Sequence, residues 1–249
     1  MINIRNSREL EKLRKSAQLV VEALTLAKSR IRPGLKTEDL DDEIADFIKS
    51  KGARLAFKGF MGYPKNTCIS IDEQVVHGIP GERVLKDGEI VSIDIGVELD
   101  GYFGDAARTF KVGQVSAEKE RLMQVTRESL EKAVDAARVG NRLSDIGHAV
   151  QTHVEAAGFS VVRDLVGHGI GTSMHEAPQI PNYGPPGRGP RLKAGMVFAI
   201  EPMINMGTYE VYTAEDKWTV LTADGLPSAH FEHDIVITDA EPEILTDGI

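Results

Sequence analysis

The chain has 249 residues, enough for one large domain or two small ones with a properly buried core. A hydrophobic share of 41% and a charged share of 27% are those of an ordinary soluble globular protein. A net charge of -9 argues against general nucleic-acid or anionic-membrane affinity, and the single cysteine, Cys68, allows no intrachain disulfide and suits a reducing cytosol. Neither a signal-peptide core nor an apolar run of membrane-spanning length is present.

From the start of the chain, Asn6-x-x-Glu9 forms a capping box that opens a helix. Leu10, Leu13, Ala17, Val20, Leu24 and Ala27 then recur at helical spacing up to a stop at Arg32-Pro33-Gly34. Thr37 is placed to cap a second helix, with Leu40, Ile44, Phe47 and Ile48 on one face and Gly52 at its end. Residues 53–56 and 67–71 read as short strands on either side of an aromatic loop, 57–66. Residues 91–109 read as two strands joined at Asp100-Gly101, a dipeptide suited to a type I′ turn. Such a turn sets Asp94 opposite Ala107 and brings Asp105 onto the same face as a diagonal neighbour. Ile93, Ile95 and Val97 point the other way, towards a core. Gly96 and Ala107 are too small to fill the space in front of the two carboxylates. Ser116 opens a third helix running to about Val139, and a fourth, capped near Ser144, stops at Gly158. Beyond it, β-like segments alternate with loops, among them a long Gly/Pro-rich stretch, 167–195, expected to shape a cleft wall.

The order helix, helix, strands occurs twice. Arg32, Gly34, Asp39 and Gly52 recur at one constant offset as Arg138, Gly140, Asp145 and Gly158. One place further along, Lys86-x-Gly88-x-Ile90 to Asp94 matches Lys193-x-Gly195-x-Val197 to Glu201. His77-Gly78-Ile79 also recurs as His168-Gly169-Ile170. These matches suggest two halves of one ancestral unit, with Asp94 from the first and Glu201 from the second arriving at the seam.

The second half adds His168, His175, Glu201 and Glu232; with Asp94 and Asp105 this makes four carboxylates and one histidine able to converge, with His77 and His175 left over. Four carboxylates together are strongly unfavourable without cations, and two divalent ions supply the charge required. Oxygen-rich ligation with one imidazole suits Mn, Fe(II), Co or Zn. Ions about 3.5–4 Å apart share a water, lower its pKa and aim it at a carbonyl. The plainer alternative is a solvated polar face on the hairpin, a satisfied core histidine and a strand end at Glu201-Pro202. GHGIG is reminiscent of a phosphate loop, but no GK[ST] follows and Pro178 and Pro181 oppose a helix.

VVHGIP, IDIGVELDGYFGDAARTF, GHGIGTSMHEAP, FAIEP and FEHDIV resemble, in that order, the motifs of type I methionine aminopeptidases, within the wider pita-bread family of dimetal hydrolases. The resemblance implies an α+β pita-bread fold: two duplicated halves, about 7–112 and 113–240, forming a curved antiparallel sheet with helices outside, as one domain over 1–249. It implies Asp94, Asp105, His168, Glu201 and Glu232 as ligands of two divalent ions (Co, Mn, Fe(II) or Zn), with Asp105 and Glu232 bridging. It further implies that His175 steadies the carbonyl as it becomes an oxyanion, that His77 contacts substrate near its terminal amine, and that Glu201 relays a proton. The pocket for methionine would be walled by Phe60, Tyr63, Cys68, Met174 and Trp218, where soft sulfur and aromatic groups suit a thioether. Plain core packing is the alternative for each, Cys68 above all. Phe60 stands where a tyrosine is common and Met174 where a phenylalanine is common.

The activity implied is removal of the N-terminal methionine of nascent polypeptides when the second residue is small, by a monomer in the cytoplasm near the ribosome. Relatives with the same ligands cleave Xaa-Pro bonds, but they carry an extra N-terminal domain for which this chain leaves no room. A binding module without catalysis is a further alternative, opposed by the complete ligand set. With Ile2 in second place, the chain is expected to retain its own Met1.

Overall fold

The computed structural model describes residues 2–248, so the expected retention of Met1 falls outside them. The first half comprises α1 (Ser7–Arg30), α2 (Thr37–Ser50), β1 (Arg54–Leu55), β2 (Cys68–Ile71), β3 (Gln74–Val76), β4 (Ile90–Leu99) and β5 (Tyr102–Lys111). The second opens with α3 (Ala117–Ala136) and α4 (Leu143–Ala156), followed by β6 (Ser160–Val161), β7 (Gly167–Gly169) and β8 (Glu176–Ile180). It closes with β9 (Val197–Ile200), β10 (Met203–Asn205), β11 (Val211–Thr213), β12 (Val220–Thr222), β13 (Ser228–His230), β14 (His233–Val236) and β15 (Glu243–Ile244). No helix among the described residues is long and apolar enough to cross a membrane.

Every strand pairing is antiparallel. In the first half β4 carries β5 along one edge and β1 and β2 along the other. In the second the order is β15-β14-β9-β7-β8, with two smaller sheets, β13-β10-β6 and β11-β12-β3, the latter drawing on both halves. Each half has its own apolar core. Val20, Leu24, Leu40, Ile44 and Ile48 of α1 and α2 pack on Ile93, Ile95 and Val97 of β4. Leu122, Leu130, Ile146, Val150 and Val154 of α3 and α4 pack on Phe198, Ile200, Ile204 and Ile235. Each such buried Leu or Ile contributes about 1.5–3 kcal/mol, so the helices are held by these faces more than by propensity. The opposite sheet face is thereby left for other work.

Helix α1 starts as the sequence requires, the Asn6 side chain accepting from Arg8 N (3.0 Å) and Glu9 N (3.2 Å) while Glu9 reaches back to Asn6 N (3.0 Å). Three other helix ends differ from expectation. Thr37 does not cap α2 but lies within it, its hydroxyl donating to Gly81 O and accepting from Gly81 N, both at 3.0 Å. Ser144 likewise accepts from Arg188 N (2.8 Å), and α4 begins at Leu143 with Asp145 accepting from Arg142 N (2.7 Å). In both cases a chain segment arriving from far away takes the hydroxyl that local spacing assigns to a cap. Helix α3 stops at Ala136 rather than near Val139, because Ala137 closes a tight turn onto Val134 O (2.9 Å) and Gly140 N turns to Leu192 O (3.2 Å).

The stretch 167–195 is not all loop, since it supplies β7 and β8. The repeated His-Gly-Ile tripeptide takes two different local structures. His77 follows β3 in a left-handed conformation (φ 59°), whereas His168 sits inside β7.

Candidate metal centre

The β4–β5 hairpin sets the geometry. Asp100 (φ 52°) and Gly101 (φ 78°) take the two positive φ angles of a type I′ turn, and the ladder then runs without a break from Leu99↔Tyr102 to Ile90↔Lys111. Asp94 faces Ala107, Asp105 faces Gly96, and both carboxylates lie on the sheet face turned away from α1 and α2. On its other edge Asp94 pairs with Cys68 of β2.

The second half approaches β5 along its free edge. Glu232 N donates to Ala107 O (2.9 Å), which brings the Glu232 carboxylate beside Asp105. Above this bond the Thr109 hydroxyl donates to His230 O and accepts from His230 N, both at 2.9 Å. Below it the Asp234 carboxylate accepts from Asp105 N (2.8 Å). Buried Arg108 donates to the carbonyls of Ala107 (2.7 Å) and Glu232. Of these four joints across the seam, only the Glu232–Ala107 bond is backbone to backbone; the other three use a side chain.

His168 projects from β7, which pairs with β9 at Ala199, and Glu201 follows the end of β9. The His168 Nδ1 can only donate to Gly169 O (3.0 Å), so Nε2 keeps its lone pair and faces the carboxylates. Nε2 lies 3.6 Å from Glu201 Oε1 and 3.8 Å from Asp105 Oδ2. One ligand atom each of Asp105, His168 and Glu232 falls within 4.8 Å of the others.

Burial pushes the Asp94 carboxyl up to about 7. Asp105, Glu201 and Glu232 are raised well above the carboxylate range by burial and then by neighbouring carboxylates, Asp94 and Asp234 among them in every case. Burial lowers His168 to about 3, so its imidazole is neutral. Among the described residues, Asp94 Oδ1 and Asp105 Oδ1 are buried without a hydrogen-bond partner. Crowded buried carboxylates with unspent lone pairs beside a neutral imidazole form a donor set that fits hard or borderline divalent cations.

This cluster lines one end of a cavity of about 190 Å³. The other end is apolar, walled by Phe57, Phe60, Met61, Tyr63, Cys68 and Trp218, with His77 alongside. Tyr63 is anchored by donating to Thr67 O (3.0 Å) and Gly78 O (3.1 Å), and its ring meets Trp218 edge-on at 5.1 Å. Burial raises the Cys68 thiol, which keeps it protonated and apolar in character. Burial, then His175, lowers His77 to about 4. His175 stands at the mouth, its ring 4.1 Å from that of His168 and 5.1 Å from that of Phe60.

Met174 is the expected wall residue that does not reach the cavity. It is buried behind the wall, packed with Phe57, Tyr63 and Cys68. Gly96 explains the arrangement. A Cβ there would come 2.6 Å from Phe57 Cε1 and 2.7 Å from the Met174 methyl, so the space in front of Gly96 is filled by these two side chains rather than left open. Phe57 and Met61 line the cavity although no motif marks them, and the seam residues Arg108, His230 and Asp234, which lie outside that lining, are given no role by the sequence. A cue existed only for Phe57, the first residue of the aromatic loop.

Residues 11–239 match the model of metallopeptidase family M24. The methionine aminopeptidase of Clostridium perfringens is 54% identical over 246 residues, covering 99% of each chain. The crystal structure of methionine aminopeptidase from Rickettsia prowazekii superposes with a TM-score of 0.98 at 43% identity, covering 99% of this chain and 100% of that one. The prolidase from Pyrococcus furiosus shares the fold at a TM-score of 0.79 and 22% identity, covering 99% of this chain and 66% of that one. The architecture is thus the α+β pita-bread fold.

Proposed function

Because the chain belongs to metallopeptidase family M24, we propose that it is an aminopeptidase that removes methionine from the N-terminus of nascent polypeptides. The observation that carries this reading is the meeting of Asp105, His168 and Glu232 within 4.8 Å in the wall of a cavity whose remaining lining is mostly apolar. Asp94, Asp105 and Glu232 would hold one divalent ion, and His168, Glu201 and the shared Asp105 and Glu232 a second. Co, Mn, Fe(II) and Zn all suit these donors. Such ions supply Lewis acidity towards the scissile carbonyl and water that ionises near neutral pH.

The remaining chemistry falls to the chain's own groups. The apolar end, with the Cys68 thiol and the aromatic edges of Tyr63 and Trp218, receives an unbranched thioether side chain. The peptide's carbonyl then lies below His175, whose ring N–H donates to the oxygen as it gains charge. His77, neutral through burial, accepts a hydrogen bond near the substrate amine. Glu201 takes the proton of the attacking water and passes it to the leaving nitrogen. The free α-amine meets the carboxylates of this centre, which makes the enzyme an exopeptidase. It works as a monomer in the cytoplasm, beside the ribosome.

The test compares Met-Ala-Ser with an Ala-Pro peptide, with and without added Mn or Co. Metal-dependent release of methionine, with little cleavage of Ala-Pro, is expected. Preference for the proline substrate, or inactivity after metal repletion, would overturn the reading.

A further inference from the structure

We propose that Arg5 and Glu176 are positioning residues for His175, acting through a strap that precedes α1; the inference rests on the oxyanion role given to His175 above. Glu176 directly follows His175, and its carboxylate gathers five donors. Oε1 accepts from Thr172 N (2.8 Å), Thr172 Oγ1 (3.3 Å) and Ser173 N (3.2 Å), which curls the loop leading to His175 around it. Oε2 accepts from Asn3 Nδ2 (2.6 Å) and Arg5 Nη2 (2.5 Å).

The strap itself is tightly fixed. Arg5 N donates to Gly195 O (2.7 Å), and Asn6, the next residue, caps α1. The Arg5 side chain is only 7% exposed and lies flat against Gly171, where a Cβ would sit 1.8 Å from Nη2. Glycine is required there for this close approach. Among the described residues no hydrogen bond restrains the His175 imidazole, so its direction follows from its backbone and its ring contacts with His168 and Phe60. Five donors on two oxygens also make Glu176 irreplaceable by its amide, which would turn an NH₂ towards other donors. Helix α1 of the first half thus reaches, through three residues, a loop of the second half that faces the substrate.

A positioning role differs from general support in its dependence on the residue positioned. Arg5→Met and Glu176→Gln are to be made alone and in a His175→Ala background, with kinetics on Met-Ala-Ser in Mn-loaded protein. Alone, each is expected to lower kcat by about 10- to 100-fold with KM changed by less than about twofold, since a displacement on the order of 1 Å at a reacting centre costs that much. Mn content should stay unchanged, and Arg5→Lys, keeping one donor, should recover part of the rate. In the His175→Ala background the same substitutions should cost less than about twofold more. Unchanged kcat in both single variants, or an equal loss with and without His175, would overturn the proposal. Full turnover in His175→Ala alone would instead overturn the oxyanion reading. Should Arg5→Met fail to fold by circular dichroism, Asn3→Ala repeats the test, with a severalfold loss that vanishes without His175 expected and an equal loss in both backgrounds contradicting it.

Discussion

The two halves of the molecule deliver their acidic groups by different means. In the first half Asp94 and Asp105 ride one hairpin whose ladder is unbroken over ten residue pairs, so a single turn fixes both. In the second half His168, Glu201 and Glu232 come from three separate places, His168 within the three-residue β7 and the two glutamates beside strands of three or four residues. Their placement depends on joints to neighbours: Ala199 for His168, and the seam to β5 for Glu232. The lesson is that the hairpin is a rigid template, while the second half is fitted against it by side-chain hydrogen bonds. Substitutions in the two regions should fail in different ways.

Asp105→Asn tests the template and should have the largest effect. Asp105 faces both Glu232 and His168, so its loss should abolish metal binding and reduce turnover by more than the roughly 10- to 100-fold that an outer partner costs. Elemental analysis that still finds both ions would contradict this. Gly96→Ala tests whether the template also sets the pocket. The added methyl must displace Phe57 or Met174, costing about 1–3 kcal/mol of stability and raising KM for methionyl peptides. Urea unfolding with kinetics on the same sample checks both, and an unchanged KM would remove Gly96 from the pocket account.

Thr109→Val tests the fitted half. It strands the N–H and C=O of buried His230 at the seam, at a cost of about 1–3 kcal/mol in urea unfolding, with the hairpin intact. An unaltered midpoint would show that the seam is held by other contacts. The smallest effect concerns His77. Its pKa is lowered to about 4, so the stability gained from keeping it neutral is present above the unfolded value near 6.5 and is lost as pH falls through about 4. Its ring proton resonance should not move between pH 5.5 and 8, and a midpoint in that range would contradict the burial argument.

This contrast also explains what the sequence disclosed. Asp100-Gly101 determines the hairpin register, because a two-residue turn leaves no freedom of pairing, and helical spacing of apolar residues marks all four helices. The short strands of the second half are too brief for alternation to register, and there the placing of His168, Glu201 and Glu232 rested on motif resemblance. Thr37 and Ser144 misled because their hydroxyls serve Gly81 and Arg188, partners that only the folded chain supplies. Asp234 and Arg108 lie within recognised motifs and His230 next to one, but nothing local marks their roles, since each acts across more than a hundred residues of chain. Met174 sits one shell further out than its motif implied because Gly96 lets it pack against the hairpin.

The most direct test is the crystal structure of protein grown with Mn, with anomalous differences measured near the manganese edge. Two peaks about 3.5–4 Å apart should lie between the hairpin aspartates and the His168–Glu201–Glu232 side, with Asp105 and Glu232 touching both. Peaks located elsewhere, or Glu232 turned away from the hairpin, would contradict the account.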